Sequence, residues 1–272
     1  MELWQALILG LVEGLTEYLP VSSTGHLVVT QRLLGIGASE AANAYAVAIQ
    51  AGAIVAVLGL YRQRVAQMCR GLVGKDRDGA RLLVALVLGF LPAAVLGLAF
   101  DDAIERFLFG PWPVVAAWAL GGLLLFALEP RLAAARQGMP IEAIGPRIAL
   151  LIGLAQCAAL WPGVSRSLAT ILGGLAAGLS IAAAVEFSFL LGLITLGAAT
   201  AYKALGSGQV MLDAYGPAAL AVGFGAAWLS AVLSVRWMVS WLGRRNFRIF
   251  AIWRLAVAAS VAALLLGGVI AY

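Results

Sequence analysis

Two short stretches of the chain hold most of the residues able to do chemistry. The first, VEGLTEYLPVSSTGHLVV (12–29), carries Glu13 and Glu17, the hydroxyls of Ser22, Ser23 and Thr24, and His26, the only histidine. On a helix, residues four apart share a face, so the two acids lie together. Carboxylates that close in a low dielectric repel, and either one holds a proton or a cation lies between them. Oxygen-only ligation favours a hard divalent ion, Mg²⁺ or Ca²⁺, over zinc. If helix resumes at the turn, Ser23 and His26, three apart, share a face, as a hydroxyl nucleophile and its base require. The structural alternatives are acids at a helix end in the headgroup layer and hydroxyls that cap the next helix.

The second stretch, WPGVSRSLAT (161–170), sets Arg166 between Ser165 and Ser167, with Thr170 one turn further on. A guanidinium buried in the membrane needs an anionic partner, and its planar fork of donors suits a phosphate. A structural ion pair with Glu13 or Glu17 is the alternative. The Pro162–Gly163 turn feeds a helix N-terminus, whose free N–H groups also favour an anion. Acids with a divalent ion on one stretch and Arg with hydroxyls on the other make a phosphate site. Gln156 reads as a hydrogen-bond donor to that site, and Glu186 as a partner of Arg166 or the cap of a polar cavity.

The elements that must position these residues are membrane helices. The chain is 63% hydrophobic and 11% charged, with mean hydropathy +0.99, far from the roughly 25% charged residues of a soluble domain. The expected fold is all-α: a polytopic integral membrane helical bundle forming a single domain over 1–272. Apolar runs and their breakers predict helices at 3–18, 24–36, 43–61, 81–100, 112–129, 147–160, 165–178, 182–203, 217–242 and 249–271. Six are long enough to span. The other four form two adjacent pairs, each broken by a polar turn containing proline. A helix of about 14–16 residues covers about 21–24 Å of a roughly 30 Å core, so each pair reads as a re-entrant hairpin whose turn lines an internal cavity.

Lys and Arg concentrate in 62–81, 130–147 and 244–254, including Arg254, and mark those loops as cytoplasmic. Asp101, Asp102, Glu105, Arg106 and Asp213 lie in the opposite connections. Threading the spans through these loops places both termini outside and brings the two hairpins in from opposite sides. Laying the second hairpin over the first aligns GLVE (10–13) with GLAQ (153–156) and, without a gap, the Val-Ser pair at 21–22 with that at 164–165. Both observations predict an inverted 3+3 repeat, with halves of about 1–145 and 146–272 and the hairpin tips meeting near the midplane. The net charge of +5 resides in short loops and is topological, so no nucleic-acid partner is expected. Cys69 and Cys157 read as free thiols, and Trp112, Trp161, Trp237, Trp241 and Trp253 as an interfacial belt. The opening MELWQALILG has an acid and no cation, so the first helix is expected to stay in the mature protein.

EGLTEYLPVSSTGH (13–26), NAYAVAIQAGAI (43–54), PGVSRSLAT (162–170) and VEFSFLLG (185–192) together resemble the undecaprenyl-diphosphate phosphatases, also called bacitracin-resistance proteins. The resemblance implies hydrolysis of the C55 isoprenyl diphosphate to the monophosphate, which recycles the lipid carrier of peptidoglycan synthesis, and resistance to bacitracin, which competes for that substrate. It implies a site facing the periplasm of the bacterial inner membrane, among membrane lipids. The family's acidic motif falls on Glu13 and Glu17, its serine and histidine on Ser23 and His26, and its phosphate-binding motif on Ser165, Arg166, Ser167 and Thr170. Leu168 stands where the family usually has glycine, and Thr195 near its usual proline.

The mechanism expected here is metal-assisted phosphoryl transfer. Glu13 and Glu17 hold the ion, Arg166 and the hydroxyls clamp the diphosphate, and Ser22, Thr24, Gln156 and Gly163 complete the pocket. His26 acts as base on Ser23 or on water, with a phosphoserine, a phosphohistidine and direct water attack all open. Self-association into a homo-oligomer is also open. The alternative function is a lipid-carrier transporter, which would show inverted repeats too. A single histidine excludes the membrane phosphatases that need two.

Overall fold

A computed structural model of the chain describes residues 1–108 and 110–268, with the side chains of Glu105, Arg131, Ala133, Ala134 and Arg136 outside the description. Three of the charges used for orientation, Glu105, Arg131 and Arg136, therefore lie outside it, as does the end of the last expected helix. The described fold is helical: α1 (Leu3–Thr16), α2 (Ser23–Leu33), α3 (Glu40–Leu60), α4 (Arg62–Leu72), α5 (Arg77–Ala99), α6 (Asp101–Leu108), α7 (Pro111–Ala134), α8 (Pro146–Gln156), α9 (Arg166–Ala176), α10 (Ile181–Arg244) and α11 (Arg248–Leu266), with short 3₁₀ turns beside α7 and α8. Five of them, α3, α5, α7, α10 and α11, are long and apolar enough to cross a membrane. The chain is a multi-pass membrane protein.

α10 unites two of the six expected spans. Its 64 residues break at Gly216 (φ 75°, ψ 162°), followed by Pro217. The stretch before this break, expected as a loop around Asp213, is helical, and so are α4 and α6. These segments are polar or amphipathic, so they lack the continuous apolar run by which membrane helices are recognised.

Packing follows membrane logic, with small residues between helices and large apolar ones outside. α1 exposes Leu3, Leu7, Leu11 and Leu15 along one stripe and buries Ala6, Gly10, Glu13 and Gly14 on the other. Gly10 and Gly14 meet the backbone of the second arm of α10 at Gly223 and Ala227, where any side chain would collide. Ser230 and Ser234 of that arm donate to the carbonyls of Gly10 and Gly14, at 3.4 and 2.8 Å. α8 lies against α5 in the same manner, with Gly153 at the carbonyl of Gly89.

The two broken hairpins correspond element by element. The register that carries Leu3, the first residue of α1, onto Pro146, the first of α8, also carries both ends of α2 (Ser23–Leu33) onto both ends of α9 (Arg166–Ala176). Ser22 (φ 72°) and Ser165 (φ 78°), the residues just before α2 and α9, keep the same register and are the only described non-glycine residues with positive φ. Such backbone costs about 1–3 kcal/mol per residue and persists only where its surroundings dictate it.

Two sequence expectations about charges change. Glu186 does not meet Arg166. It accepts from Arg64 at 2.8 Å, and the same guanidinium reaches Glu142 at 2.7 Å, holding the Glu142 carboxyl below its ordinary range. Arg254, counted among the loop cations, is fully buried inside α11.

Candidate active site

The two hairpin turns meet at an open cavity of about 180 Å³ whose wall is part apolar and part polar. Glu17, Ser22, Ser23 and Thr24 line it from the first hairpin, and Gln156, Gly163, Ser165 and Arg166 from the second. Each turn reverses the chain within a few residues. At Gly163 (φ 98°) a side chain would strike Ala117 and Val114 of α7, at 2.8 Å each. Ser165 accepts from the N–H of Leu168 at 3.3 Å and so caps α9, whereas Ser22 makes no side-chain cap to α2.

Glu17 is the centre of the arrangement. Arg166 donates to its Oε1 at 3.2 Å across the hairpin boundary, and the Ser23 hydroxyl donates to its Oε2. Ser23 and Arg166 are the first residues of α2 and α9, equivalent positions in the two hairpins. The Arg166 side chain is only 9% exposed. Its second terminal nitrogen donates to the carbonyl of Ser188 at 3.0 Å, its face lies over the Tyr18 ring, and its Nε is buried with no partner. A buried donor with nothing to bond is unfavourable by about 1–3 kcal/mol and is satisfied by an incoming acceptor. Glu13 shows the opposite deficit: both of its carboxylate oxygens are buried and accept no hydrogen bond from a nitrogen or hydroxyl donor, and they face the Glu17 carboxyl.

The remaining predicted site residues divide into those on the cavity wall and those behind it. Ser167 donates to the Leu19 carbonyl at 2.9 Å, tying the second turn to the first. Thr170 bonds the Arg166 carbonyl at 2.9 Å and the Ser188 hydroxyl at 2.6 Å. Both are buried behind the wall, as is Glu13. Gln156 donates to the Gly89 carbonyl and accepts from Thr195, each at 3.3 Å. Thr195 also lines the cavity, and Leu168 is buried in the core.

His26 departs from the expected pairing with Ser23. Ser23 donates to Glu17, while both imidazole nitrogens are engaged elsewhere. The indole N–H of Trp253 points at Nε2, 3.0 Å away, and can only donate. Nε2 is therefore the acceptor and Nδ1 carries the proton, which goes to the Ser22 carbonyl at 2.7 Å. His26 instead faces Trp118 and Trp253 and lines an apolar groove of about 510 Å³. Trp253, expected in an interfacial belt, is thus a histidine partner.

Sequence reasoning missed Gln50 of α3, which lines the cavity, and Trp118, whose indole donates to the Val21 carbonyl at 2.8 Å. An amide in the middle of an apolar span is the signal Gln50 offered. Trp118 offered none, because a tryptophan in a membrane helix has many uses.

The described residues bring no three of His, Cys, Asp and Glu into one metal-type cluster. The donors available to a cation are Glu13, buried beside Glu17 with no nitrogen or hydroxyl donor, and Glu17 itself, already shared by Ser23 and Arg166.

Residues 6–260 match the profile of the family described as bacitracin resistance protein BacA. The chain is 47% identical over 261 residues to an undecaprenyl-diphosphatase of Sorangium cellulosum, covering 95% of this chain and 85% of the relative. It is 43% identical over 271 residues to undecaprenyl-diphosphatase 2 of Rhodospirillum rubrum, covering 98% and 97%. An undecaprenyl-diphosphatase of Neisseria gonorrhoeae is 39% identical over 269 residues, covering 98% and 97%. A family match along nearly the whole chain joins an acid, a serine and an arginine meeting across two broken helical hairpins, and the protein is a member of the bacitracin resistance protein BacA family.

Proposed function

We propose that the protein is an undecaprenyl-diphosphate phosphatase that releases the terminal phosphate of the C55 isoprenyl diphosphate and returns the monophosphate carrier to peptidoglycan synthesis. The observation that carries this reading is the Ser23–Glu17–Arg166 constellation at the wall of a small cavity within an apolar bundle. The cavity suits a diphosphate head, and the apolar helix faces around it suit a prenyl tail arriving from the bilayer. Bacitracin would act by competing for the same lipid diphosphate.

Arg166 binds the terminal phosphate with its free Nε and with the nitrogen it now gives to Glu17. That exchange releases Glu17 from its ion pair. Glu17 then takes the Ser23 proton as the serine oxygen attacks the terminal phosphorus. The bond from that phosphorus to the bridging oxygen breaks, prenyl monophosphate leaves, and water cleaves the phosphoserine to free phosphate. Arg166 stabilises the charge on the transferring group throughout. His26, fixed in its neutral tautomer by Trp253, holds the turn at the Ser22 carbonyl and does not serve as base.

Two neighbouring carboxylates without zinc-type ligands, one of them accepting from no nitrogen or hydroxyl, fit a hard divalent cation such as Mg²⁺ or Ca²⁺, which Glu13 and Glu17 would hold. Such an ion would supply charge neutralisation on the diphosphate. Ser165, Gln156, Ser22 and Thr24 orient the head group from the cavity wall, while Ser167 and Thr170 hold Arg166 and the second turn in place.

The equal spacing of the elements, the paired strained serines and the charge bias of the loops support an inverted repeat of two re-entrant hairpins. In that topology the cavity faces the periplasmic side of the bacterial inner membrane, and both termini are periplasmic.

The test is phosphate release by the detergent-purified protein from C55 or C15 prenyl diphosphate, with and without EDTA, beside Arg166→Ala and Glu17→Gln. Metal-dependent release of one phosphate per diphosphate, lost in both variants, is the expected outcome. Full activity in EDTA would remove the cation, and an inactive wild type would remove the phosphatase.

A further inference from the structure

We infer that Arg254 is a positioning residue that keys the two hairpin turns to one another while the residues inside the cavity exchange partners. Arg254 is fully buried, and its four described hydrogen bonds all run to backbone carbonyl oxygens. One terminal nitrogen donates to Pro20 of the first turn at 3.2 Å and to Val164 of the second at 3.1 Å. The other donates to Gly163 at 2.9 Å and to Ala117 of α7 at 2.8 Å. The site is shaped for this group: a side chain at Gly121 of α7 would run into the guanidinium.

The placement matters because these carbonyls sit directly before the strained backbone of the site. Pro20 precedes Ser22 by two residues, and Val164 adjoins Ser165. A single planar cation therefore fixes the approach of both turns and braces them on α7.

The other described links between the tips are the Arg166–Glu17 pair, the Arg166 guanidinium over the Tyr18 ring, and the bonds of Ser165 and Ser167 to the Leu19 carbonyl. The first of these opens when Arg166 turns to phosphate. Arg254 lies outside the cavity wall, so its bonds have no reason to change during the reaction. It holds the turns in register at the moment when the strongest cross-tip link is given up. Lysine cannot replace it, because an ammonium is a point donor and cannot span carbonyls of three separate segments.

This inference rests on the phosphatase reading for its kinetic consequence but not for its structural one, and the experiment separates them. Arg254→Lys and Arg254→Gln are prepared in the full-length protein, and kcat and KM for C15 prenyl diphosphate are measured per folded molecule. Both variants should lose about 10²-fold in kcat, the size of effect that a displacement of about 1 Å produces, with KM within about twofold of wild type. In parallel, with the two native cysteines changed to serine, spin labels at the exposed positions Leu33 of α2 and Ala176 of α9 report the distance between the hairpins. The distance distribution should broaden in both variants. Wild-type kcat in Arg254→Lys would show that the charge alone suffices and would overturn the inference. So would an unchanged distance distribution, or a lowered unfolding midpoint with wild-type kcat per folded molecule. If the wild type releases no phosphate, the phosphatase reading fails and the label distances still decide the role of Arg254.

Discussion

The two hairpins share a backbone and differ in their chemistry. Each sets a serine at positive φ just before its second helix, and each packs its first helix through a glycine onto a long span. At the next position the first hairpin carries Ser23 and the second Arg166, and both side chains grip Glu17. Where the first has the buried acid Glu13, the second has the amide Gln156, bonded on both sides. The two tips match in register and the charge is divided between them: acid and hydroxyl on one, cation on the other. An electrically symmetric pair would set like charges against each other at the interface. The asymmetric pair attracts across it and leaves one carboxylate and one guanidinium nitrogen unsatisfied for a ligand.

Breaking the asymmetry at its centre should have the largest effect. Arg166→Ala removes the clamp from the second tip and Ser23→Ala the nucleophile from the first, and each should lower kcat by about 10³-fold, in line with loss of a preorganised electrostatic partner. Because both act through Glu17, the double variant should be little worse than either single one. Kinetics on all three with C15 prenyl diphosphate check this, and fully additive losses would mean that the equivalent positions work independently.

Trp253 offers a smaller test, on the first hairpin alone. Trp253→Phe keeps the ring but removes the indole N–H from His26, so the tautomer is no longer fixed. A fall in kcat of about tenfold is expected from this orienting role, below the range for a positioned acid–base group. Imidazole nitrogen shifts in the detergent-solubilised protein should show the second tautomer appearing. A loss as deep as that of Ser23→Ala would return His26 to the role of base.

Leu168 sharpens the comparison at the level of packing. It stands buried behind Arg166, so Leu168→Ala should lower stability by about 2–5 kcal/mol, read as the unfolding midpoint in detergent. A variant of unchanged midpoint would show that the second hairpin tolerates the void.

The smallest effect separates the two strained serines. Ser22→Gly relieves positive φ without losing a cap and should raise stability by about 1 kcal/mol. Ser165→Gly relieves the same strain but gives up the bonds to Leu168, Ser167 and Leu19, so its midpoint should stay near wild type. Equal gains in both would mean that the Ser165 hydroxyl contributes nothing to holding its turn.

Much of this comparison can be read from the order of residues. Composition and run length determine a helical membrane protein, because a bilayer admits few other ways to satisfy the backbone. The polar turns at 19–25 and 161–167 interrupt apolar helices too short to span, so types and spacing alone single out Glu17, Ser23, Ser165 and Arg166, which the fold brings to one candidate site. The common register of the two hairpins is also in the sequence, where GLVE and GLAQ, and the two Val-Ser pairs, stand at one spacing. Tertiary structure decided the partners. Ser23 goes to Glu17 and not to His26, because three-residue spacing places two side chains near one face without saying which way either turns. Glu186 finds Arg64, and Thr170 finds Ser188, across distances in sequence that no local pattern encodes. Arg254 was the least legible residue: beside Arg244, Arg245 and Arg248 it looks like one more loop cation. Two turns from separate halves of the chain and a span between them present four carbonyl oxygens to a single buried point there, and only the folded molecule brings them together.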